Sequence, residues 1–276
     1  MRYLLFIFSM LMLVMPVAYA ANTTTTNNAI PAELTFHEDW LNGVVVIAYE
    51  NQYGTGFWIN PTHVATAAHV VGFNGNASVE VIRGSVRSSG RVVALDRETD
   101  VAIIYVQNAA AFDNKHVFPI ARSMPEPTST IYVIGYPSEL LQLLGSLEAL
   151  SEHPRVLESS LTWSANGLIE LGGITDAGNS GGPVVDYSGN VIGVVSFALR
   201  GPAGTLYFAS SAGNLKQLCE EHNIAYEEGT SGIIPGEDPV VAGAVAGAAA
   251  SFAMDVVVLA AVGLLGASLL VHRRRR

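Results

Sequence analysis

An all-β fold, a barrel or sandwich of short strands, is what this 276-residue chain predicts, and two observations predict it. Short apolar runs recur at close intervals, and Gly, Asn and Pro fill the gaps between them. Those are the residues that build turns, and the chain holds 27 Gly and 12 Pro.

Residues 1–20 carry Arg2, then an apolar run, then Ala18-Tyr19-Ala20. That order reads as a secretory signal peptide cleaved before Ala21. Residues 21–30 open with Ala-Asn-Thr-Thr-Thr-Thr-Asn-Asn, a polar low-complexity leader expected to be disordered. A folded domain is expected over 31–226. Its first half reads as strands at 44–49, 56–59, 78–82, 91–95 and 101–106. Residues 108–127 lack periodicity and hold Pro119, Pro125 and Pro127, which suits a connection between two halves. Strands resume at 130–136, 156–163, 167–171, 184–186, 191–198 and 205–209. A helix over 212–222 puts Leu215, Leu218 and Cys219 on one face. The leucines of 138–153 are spaced like an amphipathic helix, either a surface helix packed on the second half or a lid over a cleft.

Residues 227–239 are a turn-rich linker, and residues 240–271 hold a single charge, Asp255. Thirty angstroms of hydrocarbon fit about 20 helical residues, so the span is expected at 252–271. Arg273, Arg274, Arg275 and Arg276 mark its cytoplasmic end. The topology expected is an extracytoplasmic domain tethered to the inner (plasma) membrane by one transmembrane helix.

Three stretches carry chemistry. In Thr175-Asp176-Ala177-Gly178-Asn179-Ser180-Gly181-Gly182-Pro183, a serine sits among small residues on a tight turn. There the N–H groups of Gly178 and Ser180 can point the same way and cradle an oxyanion. Val64-Ala65-Thr66-Ala67-Ala68-His69 sets a histidine after small residues at a strand end. Asp100 opens the apolar run Val101-Ala102-Ile103-Ile104, where an unpaired carboxylate is costly and an imidazole N–H would satisfy it. A nucleophile, a base and a group that orients the base are the parts of acyl transfer. Their chain order, His69, Asp100, Ser180, is that of chymotrypsin-like enzymes and not of subtilisins or α/β-hydrolases.

Thr66-Ala67-Ala68-His69, Asp100-Val101-Ala102-Ile103 and Gly178-Asn179-Ser180-Gly181-Gly182-Pro183 resemble the catalytic blocks of trypsin-like serine peptidases, in particular the disulfide-free bacterial HtrA/Deg-type branch. The resemblance covers roughly residues 43–223. It implies two six-stranded antiparallel β-barrels, near 40–107 and 128–211, with a short C-terminal helix and the triad in the cleft between them. It implies His69 as base, Asp100 as its orienter, Ser180 as nucleophile, and Gly178 with Ser180 as oxyanion donors. By the same likeness Ile174 lies at the base of the primary pocket, and Ser196, Phe197 and Ala198 form the edge that pairs with substrate. Ile174 is not an acid, so cleavage after small or medium apolar residues is expected, not after Lys or Arg. The linker between His222 and the expected membrane span is too short for the PDZ module that HtrA-type enzymes usually append, so gating through such a module is not expected. The tail (Phe252-Ala253-Met254-Asp255-Val256-Val257, apolar helix, arginines) resembles bacterial C-terminal sorting signals, which a dedicated membrane peptidase cleaves.

Composition excludes several classes. With 14 Lys+Arg against 24 Asp+Glu, the chain lacks the basic face that nucleic acid needs. Cys219 is the only cysteine, so no internal disulfide forms and the core must suffice. The other histidines, at 37, 63, 116, 153, 222 and 272, show no metal-ligand spacing, and neither a metal nor an organic cofactor is expected. The partners expected are a protein or peptide substrate and the membrane. The alternative function is a catalytically silent barrel that serves as a membrane-held binding module.

Overall fold

The computed structural model describes residues 38–229, apart from 174 and 203. The short strands close on themselves twice. The first barrel comprises β1 (Val44–Tyr49), β2 (Gln52–Trp58), β3 (His63–Thr66), β4 (Ser78–Arg83), β5 (Val86–Asp96) and β6 (Val101–Val106). They run in the order β1-β2-β3-β6-β5-β4, and β4 returns to pair with β1. The second comprises β7 (Thr130–Gly135), β8 (Arg155–Ala165), β9 (Leu168–Leu171), β10 (Pro183–Val185), β11 (Val191–Gly201) and β12 (Gly204–Ser211). Its order is β10-β11-β12-β9-β8-β7, closed by β7 on β10. Every pairing between these strands is antiparallel, and closure leaves neither sheet with an open edge.

The period-two pattern accounts for the closure. Along β4, Val79 and Val81 are buried while Ser78 and Glu80 are exposed. Its partner β5 buries Ser88, Gly90, Val92 and Ala94 in alternation. Val79, Val81 and Val92 join Val45, Ile47, Trp58, Val64 and Ile104 in the core of the first barrel. The second barrel is filled by Ile131, Val133, Leu161, Ile169, Val184 and Ile192. Truncating a fully buried residue such as Ile104 to alanine costs about 2–5 kcal/mol, from lost transfer energy plus the cavity left behind.

The double barrel expected from the family resemblance is the fold observed. The sixth strand of the first barrel, absent from the strands named above, is β3, only four residues long. It is too short to display an alternation by itself and is fixed by its pairing to β2 and β6.

The leucine-rich stretch departs from expectation. It is two short helices, α1 (Ser138–Leu144) and α2 (Leu147–Ser151), and not one. Gly145 adopts φ +80° and its N–H bonds the Leu141 carbonyl, which ends α1. Ser146 then accepts from the Ala149 N–H and starts α2. α2 packs against β4 and β1, so it lies on the first barrel and not on the second. The Ser151 hydroxyl accepts from Gly84 N–H at 2.7 Å, and Arg87 pairs with Glu148. Leucine periodicity gave the helical tendency but could not specify which barrel would receive it.

α3 (Ala212–Glu221) closes the domain with Leu215, Leu218 and Cys219 buried. The expected signal peptide, leader and membrane span lie outside the described residues. Among the described residues, no helix is long and apolar enough to cross a membrane.

Candidate active site

β3 leads through Ala67 into a 3-10 turn, Ala68–Val71, and this turn carries His69. Gly72 at φ +62° ends the turn. Gln52 Nε2 donates to the carbonyls of His69 (3.0 Å) and Val70 (2.9 Å), which ties the turn to β2. Asp100 stands one residue before β6. The turn that delivers it is shaped by Asp96, whose carboxylate accepts from the Glu98 N–H and the Thr99 hydroxyl. Asp100 itself adopts φ +57°, a left-handed conformation that aspartate tolerates better than most side chains.

The two groups meet closely. His69 Nδ1 lies 2.8 Å from Asp100 Oδ2, a separation at which the ring N–H donates to the carboxylate. The His69 backbone N–H donates to Asp100 Oδ1 at 2.9 Å, and the Ala68 N–H donates to the Asp100 carbonyl at 3.1 Å. The Ser196 hydroxyl donates to Asp100 Oδ2 as well. Burial works against ionisation of Asp100. The bonds from the His69 ring and Ser196, the imidazole's charge and the His69 N–H outweigh it and hold the carboxyl below its ordinary range. The His69 side chain is 34% exposed and Asp100 16%, so the imidazole is the more open of the two and the carboxylate sits behind it.

Ser180 arrives from the second barrel, on the loop between β9 and β10. Gly181 N–H donates to the Val195 carbonyl and Val195 N–H to the Gly182 carbonyl, which pins the loop to β11. Thr55 N–H donates to the Ser180 carbonyl at 2.8 Å, and the Thr55 hydroxyl donates to the Gly178 carbonyl at 2.7 Å. The Ser180 loop is therefore gripped by β2 of the opposite barrel. Gly54 is wedged there: a Cβ on it would lie 2.6 Å from Val70 and 2.8 Å from the Ser180 carbonyl. Ser180 is thus one glycine away from the turn that holds His69. Among the described residues no hydrogen bond joins the Ser180 hydroxyl to the imidazole; free enzymes often hold this bond long until substrate binds.

Gly178 adopts φ +94°, and a Cβ there would lie 2.2 Å from the Tyr136 carbonyl, so no other residue fits. Ala177 turns its carbonyl to the Ser138 N–H, and the Asn179 N–H bonds the Asp176 carbonyl. The Gly178 and Ser180 N–H groups find no acceptor among the described residues.

Beside Ser180 opens a cleft of about 360 Å³, lined among others by Thr175, Ser196, Phe197, Ala198 and Thr205. Phe197 stacks on Phe208 at 5.1 Å. Between Val195 and Ala198 the β11–β12 register shifts, a bulge beside the site. Ile174 lies outside the described residues. Glu139, from the first turn of α1, borders the same cleft, and burial and Glu139 together raise the pKa of Asp176. Two larger hollows of about 490 Å³ each lie elsewhere and hold none of His69, Asp100 and Ser180. No group of three or more metal-binding side chains occurs among the described residues.

Two contacts carry no signal in the sequence. Ser196 lines the cleft beside Ser180, and its hydroxyl also donates to Asp100, which no local pattern announces. Thr55 carried no signal at all: a threonine in a strand is commonplace, and only barrel-to-barrel contact reveals its grip on Gly178.

Known proteins align with this arrangement. The trypsin-like peptidase domain family matches residues 54–194. The serine protease Rv3671c of Mycobacterium tuberculosis is 31% identical over 182 residues, covering 60% of this chain and 41% of that protein. Serine protease HTRA1 of Xenopus tropicalis is 29% identical over 172 residues, covering 62% of this chain and 36% of that protein. The chain thus spans less than half the length of these curated relatives. A solved inactive form of Rv3671c superposes with TM-score 0.51 at 25% identity, covering 65% of this chain and 88% of that one. A serine endoprotease from Yersinia pestis gives TM-score 0.53 at 20% identity over 68% of this chain and 67% of its own, a likeness of fold alone.

Proposed function

This chain belongs to the trypsin-like peptidase family as a serine peptidase of the HtrA type, and from that premise we propose that it cleaves peptide bonds through His69, Asp100 and Ser180. The observation that carries the assignment is the 2.8 Å contact of His69 Nδ1 with Asp100, set across a loop whose Gly178 and Ser180 amides await an acceptor.

Ser180 Oγ attacks the scissile carbonyl as its proton passes to His69 Nε2. Asp100 keeps the proton on Nδ1, so that Nε2 is free to act as base, and stabilises the imidazolium once formed. The negative charge on the tetrahedral oxygen is met by the Gly178 and Ser180 N–H groups. His69 returns the proton to the departing amine, leaving an acyl group on Ser180. Water, deprotonated by the same imidazole, releases the acid and regenerates the hydroxyl.

The substrate is a protein or peptide. The preference proposed is for a small or medium apolar residue before the scissile bond. Thr175, Ala198 and Thr205 supply short side chains to the cleft, consistent with that preference. A peptide-library profile dominated by Lys or Arg at this position would overturn it. The domain is proposed to face the extracytoplasmic side, tethered through 252–271 with Arg273–276 in the cytoplasm. The arginines at 273–276, directly after the apolar stretch, support that orientation. The intact mass of protein extracted from membranes distinguishes a retained anchor from cleavage by a sorting peptidase.

A fluorophosphonate probe tests the chemistry. The wild-type chain is expected to label, and Ser180→Ala to fold equally well and take no label. Labelling that persists in Ser180→Ala would remove the serine from its role. A wild-type chain that never labels would favour the silent binding module.

A further inference from the structure

Past Val194 the strand β11 leaves its barrel. β10 pairs with β11 as far as Val194, whereas β12 stays paired with it to Gly201. Burial follows the pairing: residues 191–196 are buried and 197–201 are exposed. The outer half of the β11–β12 hairpin is thus a two-stranded ribbon that projects beyond the closed part of the sheet. Side chains alternate between its two faces. Ala198 and Arg200, with their cross-strand partners Tyr207 and Thr205, line the cleft that holds Ser180. Leu199 and Leu206, paired with each other, take the opposite face and are about half exposed.

Charge in this cleft is sorted by position. Among the described residues that line it, the acids are Glu139 and Asp176 and the one cation is Arg200. Glu139 helps to raise the Asp176 pKa, so the two acids sit near each other. No ion pair joins Arg200 to either of them or to any other described carboxylate. Other cations of the domain are engaged: Arg87 with Glu80 and Glu148, Arg122 and Lys216 with Glu228, and Arg83 with two backbone carbonyls. Arg200 is exposed, faces a short threonine across the strand pair, and stands in the wall of the site with its charge unmet. A carboxylate on the substrate is repelled at the Glu139 end and attracted at the Arg200 end.

Chain direction fixes which half of the substrate reaches Arg200. Ser196 bonds Asp100 and marks the end of the edge nearest the scissile bond, and β11 then runs outward to Gly201. The substrate half that stays on Ser180 has its N-terminus away from the bond. With Ser196-Phe197-Ala198 as the substrate edge, that half therefore runs antiparallel to β11. Antiparallel strands match residue for residue, which places Arg200 opposite the fifth substrate residue before the bond. A bulge between Val195 and Ala198 adds one residue to β11, so the guanidinium covers the fourth and fifth positions. We propose that Arg200 is a specificity-determining residue that binds the carboxylate of an aspartate or glutamate four or five residues before the scissile bond. The enzyme then reads an acidic signal upstream as well as an apolar residue at the cut. The inference rests on the serine-peptidase reading above.

The test uses the full-length chain, Arg200→Gln and Arg200→Glu with three quenched fluorescent peptides. All carry valine before the scissile bond and differ only at the fourth and fifth positions before it, where both residues are Glu, Gln or Lys. In the wild type, kcat/KM for the Glu peptide is expected to exceed that for the Gln peptide about two- to fivefold, the effect of an exposed ion pair. That preference is expected to vanish in Arg200→Gln and to reverse in favour of the Lys peptide in Arg200→Glu. It is also expected to fade in about 0.5 M salt. Damage to the fold would slow all three peptides together and could not reverse their order. A wild type that does not prefer the Glu peptide, or a preference that both variants keep, overturns the proposal. If the wild type turns over none of the peptides and takes no fluorophosphonate, the peptidase reading fails with it. If it turns over all three equally, only the Arg200 proposal is lost.

Discussion

Asp100, on the first barrel, accepts from the His69 N–H, the His69 ring and the Ser196 hydroxyl, whereas the Gly178 and Ser180 amides on the second barrel have no acceptor. The two barrels thus reach the cleft in opposite states of satisfaction. One presents an imidazole already oriented by fixed bonds. The other presents donors left open, on a loop bonded from behind by Thr55 and Val195. Catalysis by preorganisation requires both halves: bonds made in advance where geometry must be kept, and bonds withheld where charge will develop.

The comparison breaks most severely at Asp100. Asp100→Asn keeps the size of the side chain but removes the charge and favours the wrong tautomer of His69. A loss of about 10⁴-fold in kcat is expected by analogy with the chymotrypsin-type triad. The same variant carries a pH signature. A carboxyl held below its ordinary range adds stability that is complete above the unfolded pKa, about 3.9, and is lost as pH falls through the folded value. Thermal denaturation should therefore show wild type ahead of Asp100→Asn at pH 7 and the gap closing below about pH 4. A gap that stays constant with pH would mean that Asp100 is not ionised in the folded state.

Thr55 tests the grip of one barrel on the other. Thr55→Val keeps the shape but leaves the Gly178 carbonyl without its donor and the Tyr136 N–H without its acceptor. A cost of about 1–3 kcal/mol in stability is expected by chemical denaturation, together with a fall in kcat. Unchanged kcat in that variant would mean that the loop keeps its geometry without the first barrel. The smallest effect belongs to Leu143, 79% exposed on α1. Leu143→Gln should move stability by no more than about 0.5 kcal/mol. If α1 nevertheless acts as a flap, as Glu139 at the cleft makes worth testing, cleavage of folded proteins will fall more than cleavage of short peptides.

Much of the domain is legible in the sequence. Residues 101–106 read as a strand, and the structure gives β6 those bounds. The face of α3 was also legible, because a helix of ten residues repeats its apolar spacing enough to be recognised. β3 and α2 were not, because each is too short to establish a period and takes its place from neighbours.

What the sequence determined by itself were the things encoded locally: which residue types can attack, accept a proton or orient a base, which runs alternate, and where turns must fall. Tertiary structure alone decided which distant side chains meet. The Ser196 hydroxyl reaching Asp100 and Thr55 holding Gly178 both depend on how two closed barrels abut. The reason is geometric. Strand periodicity fixes the face on which a side chain stands, but the residue opposite it is set by strand register and by closure of each sheet, which no local pattern contains.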